Sequence, residues 1–140
     1  MKKQEFKERK ELESVTRKID REVDSAIVEG FSDKFFLKKL GFTGNIYLSA
    51  ERTIEDLAED VERGSDRTVI LTDFDTHGKQ QNKKIIQELQ GRVDVLNSAR
   101  KKFGKQLTSN DRHEIEDVRP LFNDKDQKFV DAALDRLYTF

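Results

Sequence analysis

The sequence predicts an α/β fold in which about four mainly parallel strands are covered by helices on both faces. Short apolar runs alternate along the chain with segments whose apolar residues recur at helical spacing, and this alternation is typical of a parallel sheet. One run, residues 68–72, is apolar throughout its centre, as a strand buried on both faces should be. The chain has 140 residues, of which 39 are leucine, isoleucine, valine or phenylalanine, so it can build one globular core and is not a disordered chain.

The first 24 residues are rich in charge and are predicted to form a helix. Leu12, Val15, Ile19 and Val23 recur at steps of three and four residues, which marks one narrow apolar face. We expect this face to pack on the domain, and a partner-binding helix is the alternative.

The rest of the chain, residues 25–140, is predicted to form a single domain, with its core in residues 25–107 and an extension in residues 108–140. Four apolar runs predict strands, and the helical spacing between and after them predicts helices that start at capping residues and end at glycines. The predicted strands are 25–28, 45–48, 68–72 and 93–96. The predicted helices are 32–40 capped by Ser32, 54–64 capped by Thr53, 79–89, and a last helix 124–137.

Composition excludes several classes of protein and site. The chain carries 27 basic and 28 acidic residues, a net charge of -1, so it has no whole-molecule basic field for indiscriminate binding to nucleic acid. Cysteine is absent and there are two histidines, which excludes disulfides, thiolate metal sites and a cysteine nucleophile. No apolar run reaches the length of a membrane span or a signal-peptide core, and we expect a cytoplasmic protein with no membrane partner.

Carboxylates follow two of the predicted strands. Glu29 comes directly after the first strand, and Asp73 and Asp75 come after the third. Desolvating a carboxylate is costly unless it is paired or binds a cation, and ligands of parallel sheets gather at the carboxyl ends of the strands. Asp73 and Asp75 share one side of an extended segment, so they can converge on a hard cation such as Mg²⁺. A capping or turn role for Asp75 is the alternative.

The two motifs, AIVEGFSD at residues 26–33 and VILTDFDTHG at residues 69–78, resemble those of the Toprim domain. This family includes topoisomerases, DnaG-type primases, OLD-family nucleases and ribonuclease M5, and the resemblance spans residues 25–107. It implies a Rossmann-like sheet and a Mg²⁺ site, with Mn²⁺ as a possible substitute. Glu29 would act as general acid or base and contact the metal, and Asp73 and Asp75 would hold it. Gly30 would permit a tight turn and Asp33 would support the glutamate loop.

One position departs from the Toprim pattern. Several Toprim enzymes carry a third acid where this chain has His77, which argues against a second tightly held metal ion. His77 could contact a substrate phosphate or be an ordinary turn residue. Gly78 allows a sharp bend before the next helix, whose amino end favours an anion.

A basic segment follows the second motif. Residues 79–106 contain eight basic and two acidic residues, enough to hold a polyanionic backbone; a solvated helix face is the alternative. Phe103 could stack on a base, although a core position is favoured. The acidic stretch 113–117 could supply a metal ligand or mask the basic surface, and a solvated turn is the default interpretation. The candidate nucleic-acid contacts are Lys79, Lys83, Arg100, Lys101, Lys102 and Lys105.

Together these features predict a small Mg²⁺-dependent nuclease that cleaves phosphodiester bonds. RNA processing is favoured over DNA cleavage only by the likeness to ribonuclease M5, and the 140 residues are too few for a topoisomerase or a primase. A non-catalytic Toprim module that binds nucleic acid or protein is the main alternative. A haloacid-dehalogenase-type phosphatase is less favoured, because it would leave the motif at Glu29 and Gly30 unexplained.

Overall fold

A computed structural model describes residues 3–122 of the chain. Five helices and four short strands follow one another, and a 3₁₀ segment closes the described part. The helices are α1 (Lys3–Glu22), α2 (Phe31–Lys39), α3 (Ile54–Gly64), α4 (Thr76–Leu89) and α5 (Asn97–Thr108). The strands are β1 (Ser25–Val28), β2 (Asn45–Leu48), β3 (Arg67–Ile70) and β4 (Asp94–Val95), and the 3₁₀ segment is Ile115–Leu121. The predicted helix 124–137 lies outside the described residues.

The four strands form one parallel sheet in the order β2-β1-β3-β4. The α/β fold with a parallel sheet flanked by helices is therefore confirmed. Strand β2 lies on one side of β1, whereas β3 and β4 lie on its other side. The strand order therefore reverses between β1 and β3. This reversal is the place where open α/β sheets bind ligands.

The sheet is buried on both faces by two separate apolar clusters. One face packs against α1, α2, α5 and the 3₁₀ segment, with Phe36 and Phe103 among its fully buried side chains. The other face packs against α3 and α4, around Ile27 and Ile70. The central strand β1 is buried along its whole length, as expected for a strand covered on both faces.

Helix α1 packs by the stripe that its sequence predicts. Leu12, Ile19 and Val23 are buried in the first cluster, and Val15 packs against it while partly exposed. An ion pair of Arg112 with Glu8, at 2.6 Å from Nε to Oε1, ties α1 to the segment after α5. In residues 3–122 we find no helix with the length and apolar character needed to cross a membrane.

Several element boundaries differ from the sequence prediction. Helix α2 begins at Phe31 with Gly30 as its N-cap, so the predicted cap at Ser32 is wrong. Strand β3 spans Arg67–Ile70 rather than 68–72, and β4 is two residues long. The cap at Thr53 is confirmed, since its hydroxyl accepts a hydrogen bond from the amide of Asp56 at 3.1 Å.

Candidate functional site

The ends of β1 and β3 bring two carboxyl groups together. The strands pair in parallel, with Ile27 opposite Ile70, and the amide of Leu71 donates to the carbonyl of Ile27 at 2.7 Å. The chain leaves both strands at the same edge of the sheet, where the side chains of Glu29 and Asp73 lie within hydrogen-bonding reach of each other. Two carboxyl groups form a hydrogen bond only when one of them carries a proton.

The pKa of Asp73 is raised to about 7, first by burial and then by the nearby acids Glu29 and Asp33, while a hydrogen bond with Glu114 opposes the rise. Burial likewise raises the pKa of Glu114 to about 8, with further contributions from Glu116 and Asp73. Glu114 belongs to the acidic stretch after α5, so this stretch contributes directly to the site. Near neutral pH the cluster therefore holds protons that isolated carboxyl groups would have lost.

Asp33 connects the two loops that carry these acids. Its carboxylate accepts hydrogen bonds from the amide of Gly30 at 3.1 Å and from the amide of Glu116 at 3.0 Å. Burial raises the pKa of Asp33 to about 6, although the two amide donors partly offset that effect. The loop that carries Glu29 is thus fixed to the 3₁₀ segment through one buried side chain.

A small cleft of about 240 Å³ opens beside this cluster. It is lined by residues 29–33 of the glutamate loop, by Ala50 after β2, and by Glu114 and Glu116. A ligand in this cleft would meet the carboxyl groups from both loops.

Asp75, His77 and Gly78 form the start of α4. Asp75 is the N-cap of this helix, and its carboxylate accepts a hydrogen bond from the amide of Gly78 at 2.7 Å. The structure thus gives Asp75 the capping role that the sequence left as an alternative, and the helix begins three residues before its predicted start at Lys79. His77 is exposed in the first turn.

Gly78 is required by a close approach of the backbone. A Cβ atom at this position would lie 1.8 Å from the carbonyl oxygen of Asp73, so no other residue fits without a shift of the chain. The first turn of α4 therefore packs directly against the backbone of Asp73.

Arg100 is the largest departure from the predicted nucleic-acid contacts. It is 8% exposed, and its guanidinium donates to the carbonyls of Ile70, Thr72 and Asp73 at 3.0, 2.9 and 3.0 Å. It also lies over the ring of Phe74, 4.3 Å from the centroid. Arg100 thus holds the backbone after β3 in place, and we remove it from the set of residues offered to a nucleic-acid backbone.

The remaining predicted basic contacts are divided between different surfaces. Lys79, Lys101 and Lys105 line one groove between α4 and α5. Lys102 faces α1, where its ammonium lies 3.8 Å from the carboxylate of Glu22, and Lys83 is exposed on α4. Phe103 is fully buried, which confirms the favoured core position.

The predicted metal ion requires a set of donor side chains. In residues 3–122 no three Asp, Glu or His side chains are arranged as a ready metal-binding group. Glu29 and Asp73 nevertheless suit a hard cation, because both offer only oxygen ligands and Mg²⁺ commonly binds through one or two carboxylates while keeping several waters. A divalent cation would replace the protons that these groups retain.

The sequence patterns do not identify two contributors to this site. They place Glu114 only within an acidic stretch and Arg100 only within a basic one. The spacing of Ile115, Val118 and Leu121, all buried, is the signal that this stretch packs on the domain. No comparable signal marks Arg100, because its partners are carbonyl groups of another element.

The fold and the site define a class of protein: a parallel α/β domain with an acidic cluster at the carboxyl ends of its two central strands. The chain belongs to the UPF0292 family. It is 34% identical over 107 residues to a UPF0292 protein of Methanocaldococcus jannaschii, with 76% of this chain and 81% of the relative covered. A UPF0292 protein of Thermococcus sibiricus is 32% identical over 114 residues, with 81% and 89% covered.

A solved structure supports the same fold. A protein from Aquifex aeolicus superposes with a TM-score of 0.58 at 26% sequence identity, covering 79% of this chain and 94% of that protein. No family model matches the chain.

Proposed function

We propose that this protein is a Toprim-like domain that cleaves phosphodiester bonds in nucleic acid with the help of Mg²⁺. The observation that carries the proposal is the pair of adjacent carboxyl groups, Glu29 and Asp73, at the ends of β1 and β3. Their sequence motifs resemble those of the Toprim family, and their position is where parallel sheets bind ligands. RNA is the favoured substrate because of the likeness to ribonuclease M5, an argument by analogy.

The acidic cluster supports this chemistry in two ways. A carboxyl group whose pKa lies near 7 in the metal-free protein, as for Asp73, releases its proton readily when a cation binds at neutral pH. Glu29 lies beside Asp73, so Glu29 is the group placed to move a proton to or from the reacting oxygen. General acid–base catalysis of this kind contributes about 10²–10⁴-fold.

Glu29 and Asp73 are the residues that would hold Mg²⁺, or Mn²⁺ in its place, and waters or substrate oxygens would complete its ligand set. When bound, the cation would neutralise phosphate charge and polarise the scissile bond. Asp75 is left to cap α4 in this proposal, since its carboxylate already accepts a hydrogen bond from Gly78.

A panel of substrates tests the proposal. Structured RNA, single-stranded DNA and duplex DNA are each incubated with Mg²⁺, Mn²⁺ or a chelator, and the products are separated on a gel. We expect metal-dependent cleavage that Glu29→Gln and Asp73→Asn each reduce by at least 10²-fold. Glu55→Gln, an exposed acid on α3, is the matched control and should cleave normally. Equal activity of Asp73→Asn and the wild type would refute the proposal.

A non-catalytic nucleic-acid-binding module is the second candidate. One observation favours it: three lysines share one groove. Binding of the same nucleic acids without cleavage in either metal would support this function over the nuclease.

A further inference from the structure

The groove between α4 and α5 is separate from the acidic cleft. It has a volume of about 490 Å³, within the range of roughly 300–1,000 Å³ typical of small-molecule sites. The two sites meet at one segment of backbone, because Phe74 lines the groove and the preceding residue, Asp73, belongs to the acidic cluster.

The charges around the groove are all of one sign. Its lining contains Lys79, Lys101, Lys105 and the buried Arg100, and it contains no Asp or Glu. None of the three lysines has an ion-pair partner within residues 3–122, and all three are exposed. In a chain of net charge -1, this concentration of free cations favours an anionic ligand.

The floor of the groove is apolar and carries one polar group. Phe74 and Ile86 line it, and Gly104 leaves room for the Phe74 ring, since a Cβ there would lie 2.7 Å from the ring. The side-chain oxygen of Asn82, also in the lining, is buried without a hydrogen-bond partner in the described structure. Buried polar atoms are rarely left unpaired, so this oxygen has an unmet need for a hydrogen-bond donor beside the groove.

We propose that this groove binds a nucleoside phosphate, with its base on the Phe74–Ile86 floor and its phosphate at Lys101 and Lys105. The amide of Asn82 hydrogen-bonds the edge of the base. An aromatic floor, an amide and a basic rim match the three chemical parts of such a ligand. A free mononucleotide and one residue of a nucleic-acid strand share this chemistry. Binding of a nucleic-acid strand in this groove rests on the proposed function, whereas binding of a nucleotide as such does not.

Binding measurements in a chelator test this site without any cleavage. Adenosine monophosphate, inorganic phosphate and a five-residue oligoadenylate are titrated by calorimetry at constant ionic strength. We expect adenosine monophosphate to bind at least tenfold more tightly than phosphate. Equal affinity for the two would overturn the proposal, because the base would then contribute nothing, and so would the absence of binding by both nucleotide probes.

Variants locate the binding to the groove. Lys101→Gln combined with Lys105→Gln should weaken binding of adenosine monophosphate at least fivefold, and Asn82→Ala should weaken it about threefold or more, as expected for loss of one hydrogen bond. Lys102→Gln, on the same helix but facing α1, should change it less than twofold. Equal losses in the Lys102 variant and the double variant would overturn the proposal, since diffuse charge would explain both.

The oligoadenylate distinguishes the two sources. Tighter binding of the oligoadenylate than of the mononucleotide supports a strand. The slope of its log binding constant against log salt concentration should then be shallower by about 1.4 in the double variant, because two lysine–phosphate contacts are lost. Equal or tighter binding of the mononucleotide supports a free nucleotide. Nucleotide binding in the chelator alongside a failed cleavage assay would retain this site and reject the nuclease.

Discussion

Arg100 offers a quantitative test of how the site is held. Its guanidinium donates three hydrogen bonds to the carbonyls of Ile70, Thr72 and Asp73. Hydrogen bonds from a charged group contribute about 1.5–3 kcal/mol each, or about 4–9 kcal/mol for three. Burial lowers the pKa of Arg100 to about 10, a shift that corresponds to about 3 kcal/mol of desolvation. The difference predicts that Arg100→Met lowers the free energy of unfolding by about 1–6 kcal/mol.

Urea denaturation followed by circular dichroism measures this change. Arg67→Met is the matched control, because Arg67 and Asp94 form an exposed ion pair at 2.8 Å that should contribute less than about 1 kcal/mol. A loss in the Arg100 variant no larger than that of the control would refute the reasoning. In that case the three hydrogen bonds from the guanidinium to the carbonyls would contribute little to the free energy of unfolding.

Three further predictions concern the same edge of the sheet. Gly78→Ala should lower the melting temperature and displace the backbone of Asp73, since the new methyl group would lie 1.8 Å from that carbonyl; an unchanged melting temperature would contradict this. Asp33→Ala should speed hydrogen exchange at the two amides that Asp33 binds, those of residues 30 and 116. Unchanged exchange at these amides would contradict this prediction. The raised pKa values of Asp33, Asp73 and Glu114, about 6, 7 and 8, mean that the folded chain binds more protons than the unfolded one. The metal-free protein should therefore lose stability as pH rises from about 4 to about 8, and a stability that rises over that range in chelator would contradict the raised values.

The sheet was largely predictable from the sequence because its signals are local. The runs at 25–28 and 45–48 are strands with the predicted bounds, and Thr53 caps α3 as its position before an amphipathic helix predicts. Helix α5 is marked in the sequence only by its basic residues, because its lysines obscure the buried positions Ala99, Phe103 and Leu107.

The site was predictable only in part because its geometry depends on distant residues. Glu29 and Asp73 follow apolar strands, so topology alone predicts that they meet. The role of Asp75 could not be decided from its spacing, since capping and metal binding both place an aspartate before a helix. The contact of Glu114 with the cluster depends on how the segment after α5 returns to the sheet, which no local pattern specifies.

The hydrogen bonds that Asp33 accepts from two loops far apart in the sequence have a consequence for the order in which parts of the chain fold. The bond of Asp33 to the amide of Glu116 joins positions 83 residues apart, whereas the sheet is complete once β4 has paired at residue 95. Closing so long a loop is entropically costly and contributes slowly formed contacts. During synthesis the sheet can therefore form first, and the acidic cluster becomes whole only after the segment that follows α5 has been made.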